Sequence, residues 1–518
     1  MMSVDGPVIR KIRLDLPHPT DTDHAGDLDR VLRGLKAQGI IGVQTPLSVV
    51  AGLSKILRTA EFRVTATVAF VPILTLLRLE PANTPSRNFG LAVDLGSTNI
   101  VGALVDLDTG ATVGEHSMLN PQVEHGEDIL TRTHFSQQPS NRKRLQVQAA
   151  SAVSLIAAQL AIRLGISAGD ICCISVSGNT TMTHFFLGLE TYHLCRAPYV
   201  PVANYFPIVC ASELSIDVHP CAPVIVLPNV GSYVGGDALA GVLVSGIHRH
   251  ENVSLLVDIG TNAEIVIGNR DFLLVGAGSA GPGLEGGAVR HGMRAAAGAI
   301  ERIAINPQTH AISYHVIGDG RPLGICGSGL IDLLAELFST GIIDSRGKFL
   351  LPAKSSRVQL HDGIAEFIVA EAKDTATGAE ICFSQPDIDN LMLSKAAMYT
   401  MLSVMTDAVG MSFNELDTFF LAGAFGAYIT ADKAVTIGIV PDIELSKFRL
   451  LGNSSLEGAK QVLLSVEALV EIKRIMSAIT YVEMNESREF MNDFMAARFL
   501  PHTDLERFPS VRDRLGKR

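Results

Sequence analysis

Two short stretches of this chain are near copies of each other. One reads Val93-Asp94-Leu95-Gly96-Ser97-Thr98-Asn99 and the other Val257-Asp258-Ile259-Gly260-Thr261-Asn262. In each, an apolar run ends in an aspartate and the chain turns through glycine and hydroxyl residues. Residues 90–95 read as a strand, 100–106 as a second strand, and the run from Ala111 towards Met118 as a third, after the turn Asp108-Thr109-Gly110. The second copy runs 254–259, turn, 263–267. A strand–turn–strand unit used twice predicts two related lobes.

The residue types in these turns suit phosphate. Glycine lets the backbone approach an anion closely, and the N–H groups and hydroxyls of Ser97, Thr98, Asn99, Thr261 and Asn262 can donate to phosphate oxygens. A carboxylate at the strand end, Asp94 or Asp258, can hold hydrated magnesium or orient an attacking water. Gly96 and Gly260 supply the close approach. A single such turn reads equally well as an ordinary capped turn; two in tandem point to two turns gripping a triphosphate across a cleft.

Three glycine-rich segments follow. Residues 276–287 read GAGSAGPGLEGG and contain Gly281. Residues 324–329 read GICGSG, with Gly327 and Ser328, and open an apolar helix. Residues 421–426 read LAGAFG, with Gly423, Ala424 and Gly426, and follow a strand at 418–421. A glycine turn between strand and helix brings an anion to the helix N-terminus. The same glycines also serve tight strand–helix packing.

Before the first copy lies a separate pattern. Residues 8–16 alternate as a strand, 27–37 and 43–57 have helical spacing, and 62–79 return as strand. Thr45 is the expected N-cap of the second helix, with Pro46 just inside it. The organisation expected is a small α/β domain over 1–80, a linker over 81–88, a first lobe over 89–253 and a second lobe with C-terminal helices over 254–518. A long amphipathic helix is expected at 145–164, leading to a strand at 171–176.

Composition narrows the function. The 518 residues carry a formal net charge of −11 without a Lys/Arg-rich face, which argues against nucleic acid. The most apolar run, 64–77, is too short to cross a bilayer and contains Pro72, so a buried strand pair is expected and no membrane partner. The N-terminus has no signal-peptide core, which makes the cytoplasm the expected compartment. Seven cysteines, an odd number with no CxxC, fit neither a disulfide framework nor a metal or iron–sulfur ligand set. His184 is expected to pack rather than ligate, and the pair Glu127 and Asp128 to cap a helix near Ile129.

The segments 94–99, 258–264 and 421–426 resemble, in order, the two phosphate segments and the adenosine segment of the superfamily of actin, sugar kinases and heat-shock ATPases. Within it, the chain is similar to the ATP-dependent reductive activators of corrinoid proteins. That likeness rests on VSGNTTM at 176–182, VDIGTNAE at 257–264, AGPGLEGG at 280–287, GMRAAAGAI at 292–300 and GICGSGLIDLLAEL at 324–337. The N-terminal strand–helix unit also resembles the family's small middle domain.

The resemblance implies an α/β protein, a two-lobed actin-like ATPase with ribonuclease H-like duplicated lobes, using ATP and Mg2+. It implies catalytic and magnesium-water roles for Asp94 and Asp258. It implies, as partner, a corrinoid protein or corrinoid methyltransferase component whose Co(II) is reduced to Co(I), and a homodimer as the assembly. Some members carry an N-terminal 2Fe–2S domain. Here no cysteine precedes Cys172, so the chain is expected to hold no cluster and to depend on an external electron donor. A metabolite kinase and a non-catalytic nucleotide-dependent binding module are the alternatives on the same fold.

Overall fold

The computed structural model describes residues 6–84, 87–260, 262–279, 281–353, 355–423, 430–482 and 490–516. The chain forms two compact units. One comprises Met1–Val244 with Ser454–Ala478, the other Ser245–Asn453 with Ile479–Arg518.

The first unit begins with a three-stranded antiparallel sheet, β1 (Ile9–Asp15), β2 (Arg63–Ala69) and β3 (Thr75–Pro81), in that order. The apolar run at 64–77 is thus the expected strand pair. Helices Asp27–Ala37 and Leu47–Thr59 bring Val31, Leu35, Leu53 and Leu57 into one core with Leu14, Val64 and Leu79. Thr45 does not cap the second helix. Pro46 occupies the cap position and its carbonyl accepts from the Val49 amide, so the helix starts at Leu47, later than the spacing suggests.

A six-stranded sheet follows: β4 (Phe89–Leu95), β5 (Asn99–Asp106), β6 (Thr112–Leu119), β7 (Ile171–Ser177), β8 (Val209–Cys210) and β9 (Pro223–Val226). Its order is β6-β5-β4-β7-β9-β8, with β4–β7 and β7–β9 parallel. Helix Pro139–Leu164 starts ahead of the expected 145, with proline in its first turn. It is the one described helix long and apolar enough to cross a membrane, and Leu145, Val153, Ile156 and Leu160 on its inner face are buried in the core beneath this sheet.

The second unit repeats this plan. Its strands are β10 (Ser254–Ile259), β11 (Asn262–Gly268), β12 (Leu273–Ser279), β13 (Ala299–Ile305), β14 (Ile312–Val316), β15 (Gly324–Ile325), β16 (Val358–His361), β17 (Ile364–Ala370), β18 (Ile381–Ser384), β19 (Phe419–Ala422), β20 (Phe448–Gly452) and β21 (Ile479–Tyr481). The main sheet is β20-β19-β10-β11-β12-β21, with β10–β19 and β19–β20 parallel. The series β6-β5-β4-β7-β9 thus matches β12-β11-β10-β19-β20 in order and direction. Two further three-stranded sheets, β14-β13-β15 and β16-β17-β18, are inserted between β12 and β19.

The stretch 454–478 departs from the continuous second lobe expected over 254–518. Its first helix, Ser454–Leu464, packs in the first unit: Leu463 lies against Gly90 of β4, and its carbonyl accepts from the Val8 amide. Gly458 sits so close to Ala240 that a side chain there would collide with it. Small residues at this crossing let two helices approach at backbone distance.

Candidate functional site

In the first unit, β4 and β5 pair with Leu95 opposite Ile100, leaving residues 96–98 as the turn. The turn is tied down from behind. The buried Asn120 donates Nδ2 to the Gly96 carbonyl at 2.9 Å and its amide to the Thr98 carbonyl at 2.9 Å. The buried Arg132 donates Nη1 to the Ser97 carbonyl at 2.6 Å. All three carbonyls are therefore engaged. What the half-buried turn offers a ligand is hydroxyl and N–H donors, which an anionic phosphate accepts and a cation does not. Arg132 reaches this position from helix Ile129–Phe135, capped by Asp128 as the sequence suggests.

Asp94 lies at the end of β4, beside Ser177 of β7 in parallel register. The Ser455 hydroxyl donates to Asp94 Oδ1 at 2.8 Å and lies 3.0 Å from Ser177 Oγ. Helix Gly236–Ser245 carries Asp237 in its first turn. Loss of water around Asp237, and then the negative charge of Asp94, push its carboxyl up to about 6 against the pull of the Ala238 amide at 2.9 Å. Asp237 and Ser455 are not among the residues that the motifs point to, and Ser177, although part of the segment VSGNTTM, carries no expected site role. The signal for Asp237 was present as Gly235-Gly236-Asp237 after an apolar strand. Nothing near Ser455 in sequence marks it.

The second unit builds the same arrangement. Asp258 ends β10 beside Ala422 of β19, as Asp94 stands beside Ser177. The Gly260 amide donates to the Asn262 carbonyl at 2.9 Å, closing the turn. Thr261 lies outside the described residues, as do Ala424 and Gly426. In both units the residue after the parallel strand is a glycine pressed against the carbonyl of the residue after the aspartate. A Cβ on Gly178 would come to 2.8 Å from the Leu95 oxygen, and one on Gly423 to 2.6 Å from the Ile259 oxygen. The duplication read from two turns thus extends to register and to a glycine that neither turn contains.

Other expected site residues have packing contacts. Gly281 faces Ser394 of helix Gln385–Asp407. Gly327 and Ser328 are buried in the first turn of helix Gly327–Ser339, where Ser328 Oγ meets Cys326 Sγ at 3.4 Å. His184 is buried, with Nδ1 at 2.7 Å from the Thr180 carbonyl and its ring edge-on to Phe206, and burial lowers its pKa.

Family models cover nearly the whole chain. The C-terminal domain of RACo, the ASKHA domain, matches 252–512, the RACo middle region 89–250 and the RACo linker region 5–86. The chain belongs to the RACo family. It is 32% identical over 427 residues to the corrinoid activation enzyme RamQ of Eubacterium limosum, covering 80% of this chain and 71% of that protein. It is 23% identical over 441 residues to a Co(II) methylated amine-specific corrinoid protein reductase of Methanosarcina barkeri, covering 79% and 76%. A solved structure of a reductive activator for corrinoid, iron-sulfur protein superposes with a TM-score of 0.92 at 38% identity, over 99% of this chain and 82% of that one.

This RACo-family chain therefore has the expected actin-like ATPase fold behind an N-terminal α/β domain. The N-terminal unit, which resembles a middle domain in sequence, is the linker region in the family's own division, and the middle region falls on 89–250. Among the described residues, no group of three or more His, Cys, Asp or Glu is placed to hold a metal. The donor-rich turns and the single strand-end carboxylates instead fit a nucleotide whose magnesium is held through water and phosphate.

Proposed function

We propose that this chain is an ATP-binding, ATP-hydrolysing activator that supports reduction of a Co(II) corrinoid protein to Co(I), ready for methyl transfer. The observation that carries the reading is the superposition with the reductive activator over almost the full chain, together with the relatives named for corrinoid activation. The cofactors in this reading are ATP and Mg2+. Bound magnesium triphosphate supplies the free energy of phosphoanhydride cleavage.

The rest is done by the chain's own residues. The turns at 96–99 and 260–262 donate to phosphate oxygens. Asp94 takes magnesium through its water shell, and Asp258 orients the attacking water. Asp237, whose carboxyl is pushed up by loss of water and by the Asp94 charge, adds a second acidic group near Asp94. The reading places the protein in the cytoplasm, in keeping with seven unpaired cysteines. A low-potential donor supplies the electron.

The test is anaerobic. The purified chain is mixed with a corrinoid partner, ATP and a chemical reductant, and the cobalt absorbance is followed. Co(I) formation that requires ATP is the expected result. ATP turnover stimulated by a small metabolite instead of the corrinoid protein would overturn the reading in favour of a kinase.

A further inference from the structure

The Asp94 carboxylate is held by a residue that enters from the far end of the chain. Ser455 is 5% exposed, and its hydroxyl stands 2.8 Å from Asp94 Oδ1 and 3.0 Å from Ser177 Oγ. A hydroxyl has one proton to give. The anion is the stronger acceptor, so of its two partners the Ser455 proton points to Asp94 rather than to Ser177. Ser177 is fully buried and set beside Asp94 by the β4–β7 register. Ser455 thus stands between the Ser177 hydroxyl and the Asp94 carboxylate, in reach of both.

We propose that Ser455 is a positioning residue for the nucleotide's metal: it selects the carboxylate orientation in which Asp94 receives hydrated magnesium. An aspartate side chain rotates freely about two bonds, and a half-buried one needs a partner to stay in a single rotamer. Ser455 can serve because its own helix has little slack. Gly458 is lodged against Ala240, and Leu463 against Gly90 of the strand that carries Asp94. The helix is also the first element after the chain passes from the second unit back to the first, between Asn453 and Ser454. The hydroxyl that orients Asp94 therefore sits in the first turn after a crossover.

The proposal rests on the reading of Asp94 as a magnesium-water residue, and the test separates the two. Mn2+ serves as the probe, titrated by electron paramagnetic resonance against the full chain with ADP, alongside ATP turnover. Loss of a hydrogen bond to a charged group corresponds to roughly ten- to a hundredfold. Ser455→Ala is expected to weaken Mn2+ binding by about that factor and to lower kcat, with the KM for ATP within about twofold. Ser455→Thr keeps the donor and is expected to restore most of both. Wild-type Mn2+ affinity in Ser455→Ala would overturn the proposal. So would equal losses in the Ala and Thr variants with equally lowered melting temperatures, which would assign Ser455 to packing. If Ser455→Ala alone loses Mn2+ while the wild type forms no Co(I) with ATP, the activator reading falls and the role of Ser455 stands.

Discussion

Gly423 stands so close to Asp258 that a Cβ at position 423 would lie 2.6 Å from Asp258 Oδ1, as near as it would lie to the Ile259 carbonyl. The glycine also has a φ of +87°, a conformation that side chains rarely adopt. Gly423→Val therefore strikes the strand-end carboxylate directly, through the strand pairing that puts Ala422 beside Asp258. The expected outcome is loss of most of the rise in melting temperature that ATP gives the wild type. Thermal unfolding with and without millimolar nucleotide measures it, and an unchanged ligand shift would show that the second half-site does not bind phosphate.

Asp258→Asn keeps the size and shape of the side chain and removes its charge. If Asp258 orients the attacking water, nucleotide affinity should stay within several-fold while turnover falls by roughly two orders of magnitude or more. Parallel binding and steady-state assays make the comparison. Equal loss in both would recast Asp258 as a magnesium or structural residue.

Asp94→Ala should act differently. It removes the acceptor of the Ser455 hydroxyl and the negative charge beside Asp237. Magnesium dependence of ATP binding should weaken, seen as a higher Mg2+ concentration for half-maximal stabilisation by ATP. An unaltered magnesium curve would remove Asp94 from the metal site.

His502 carries a pH-dependent contribution to stability. It is 4% exposed, packs near Tyr399 and Phe508, and accepts the Asp504 amide at Nδ1 across 3.0 Å, which holds it neutral. Burial first, and then the positive charges of Arg507 and Lys395, lower its pKa to about 4. The unfolded chain binds this proton near 6.5, so it holds more protons than the folded chain between the two values. The contribution is present above 6.5 and is lost as the pH falls towards 4, amounting to at most about 3 kcal/mol. Denaturation midpoints from pH 7 to pH 4 should fall more steeply in the wild type than in His502→Phe. Parallel slopes would count against the neutral histidine.

Much of this molecule was legible in sequence because its informative signals are local. The Asp-Gly-hydroxyl turns specify their own strand ends, and the helix at 27–37 follows from one run of apolar spacing. The helix starts were less legible. Thr45 gave way to Pro46 because the proline's backbone already had the extended conformation and free carbonyl of a cap. Gly327 and Ser328, read as nucleotide contacts, are buried where their helix meets β13, since close packing and anion binding call for the same small residues.

The sequence by itself determined that two related strand–turn–strand units exist, that in each the first strand ends in a carboxylate beside a glycine–hydroxyl turn, and which family the chain resembles. The tertiary structure decided what surrounds those carboxylates. Ser177 reaches Asp94 through parallel pairing, Asp237 through the start of a helix, and Ser455 through a helix that returns from 361 residues further along the chain. Such contacts leave no periodic trace, because parallel pairing and helix crossing join residues whose separation along the chain obeys no local rule. The charge state of Asp237 is decided the same way, by removal of water and by a neighbour that only the folded chain brings near.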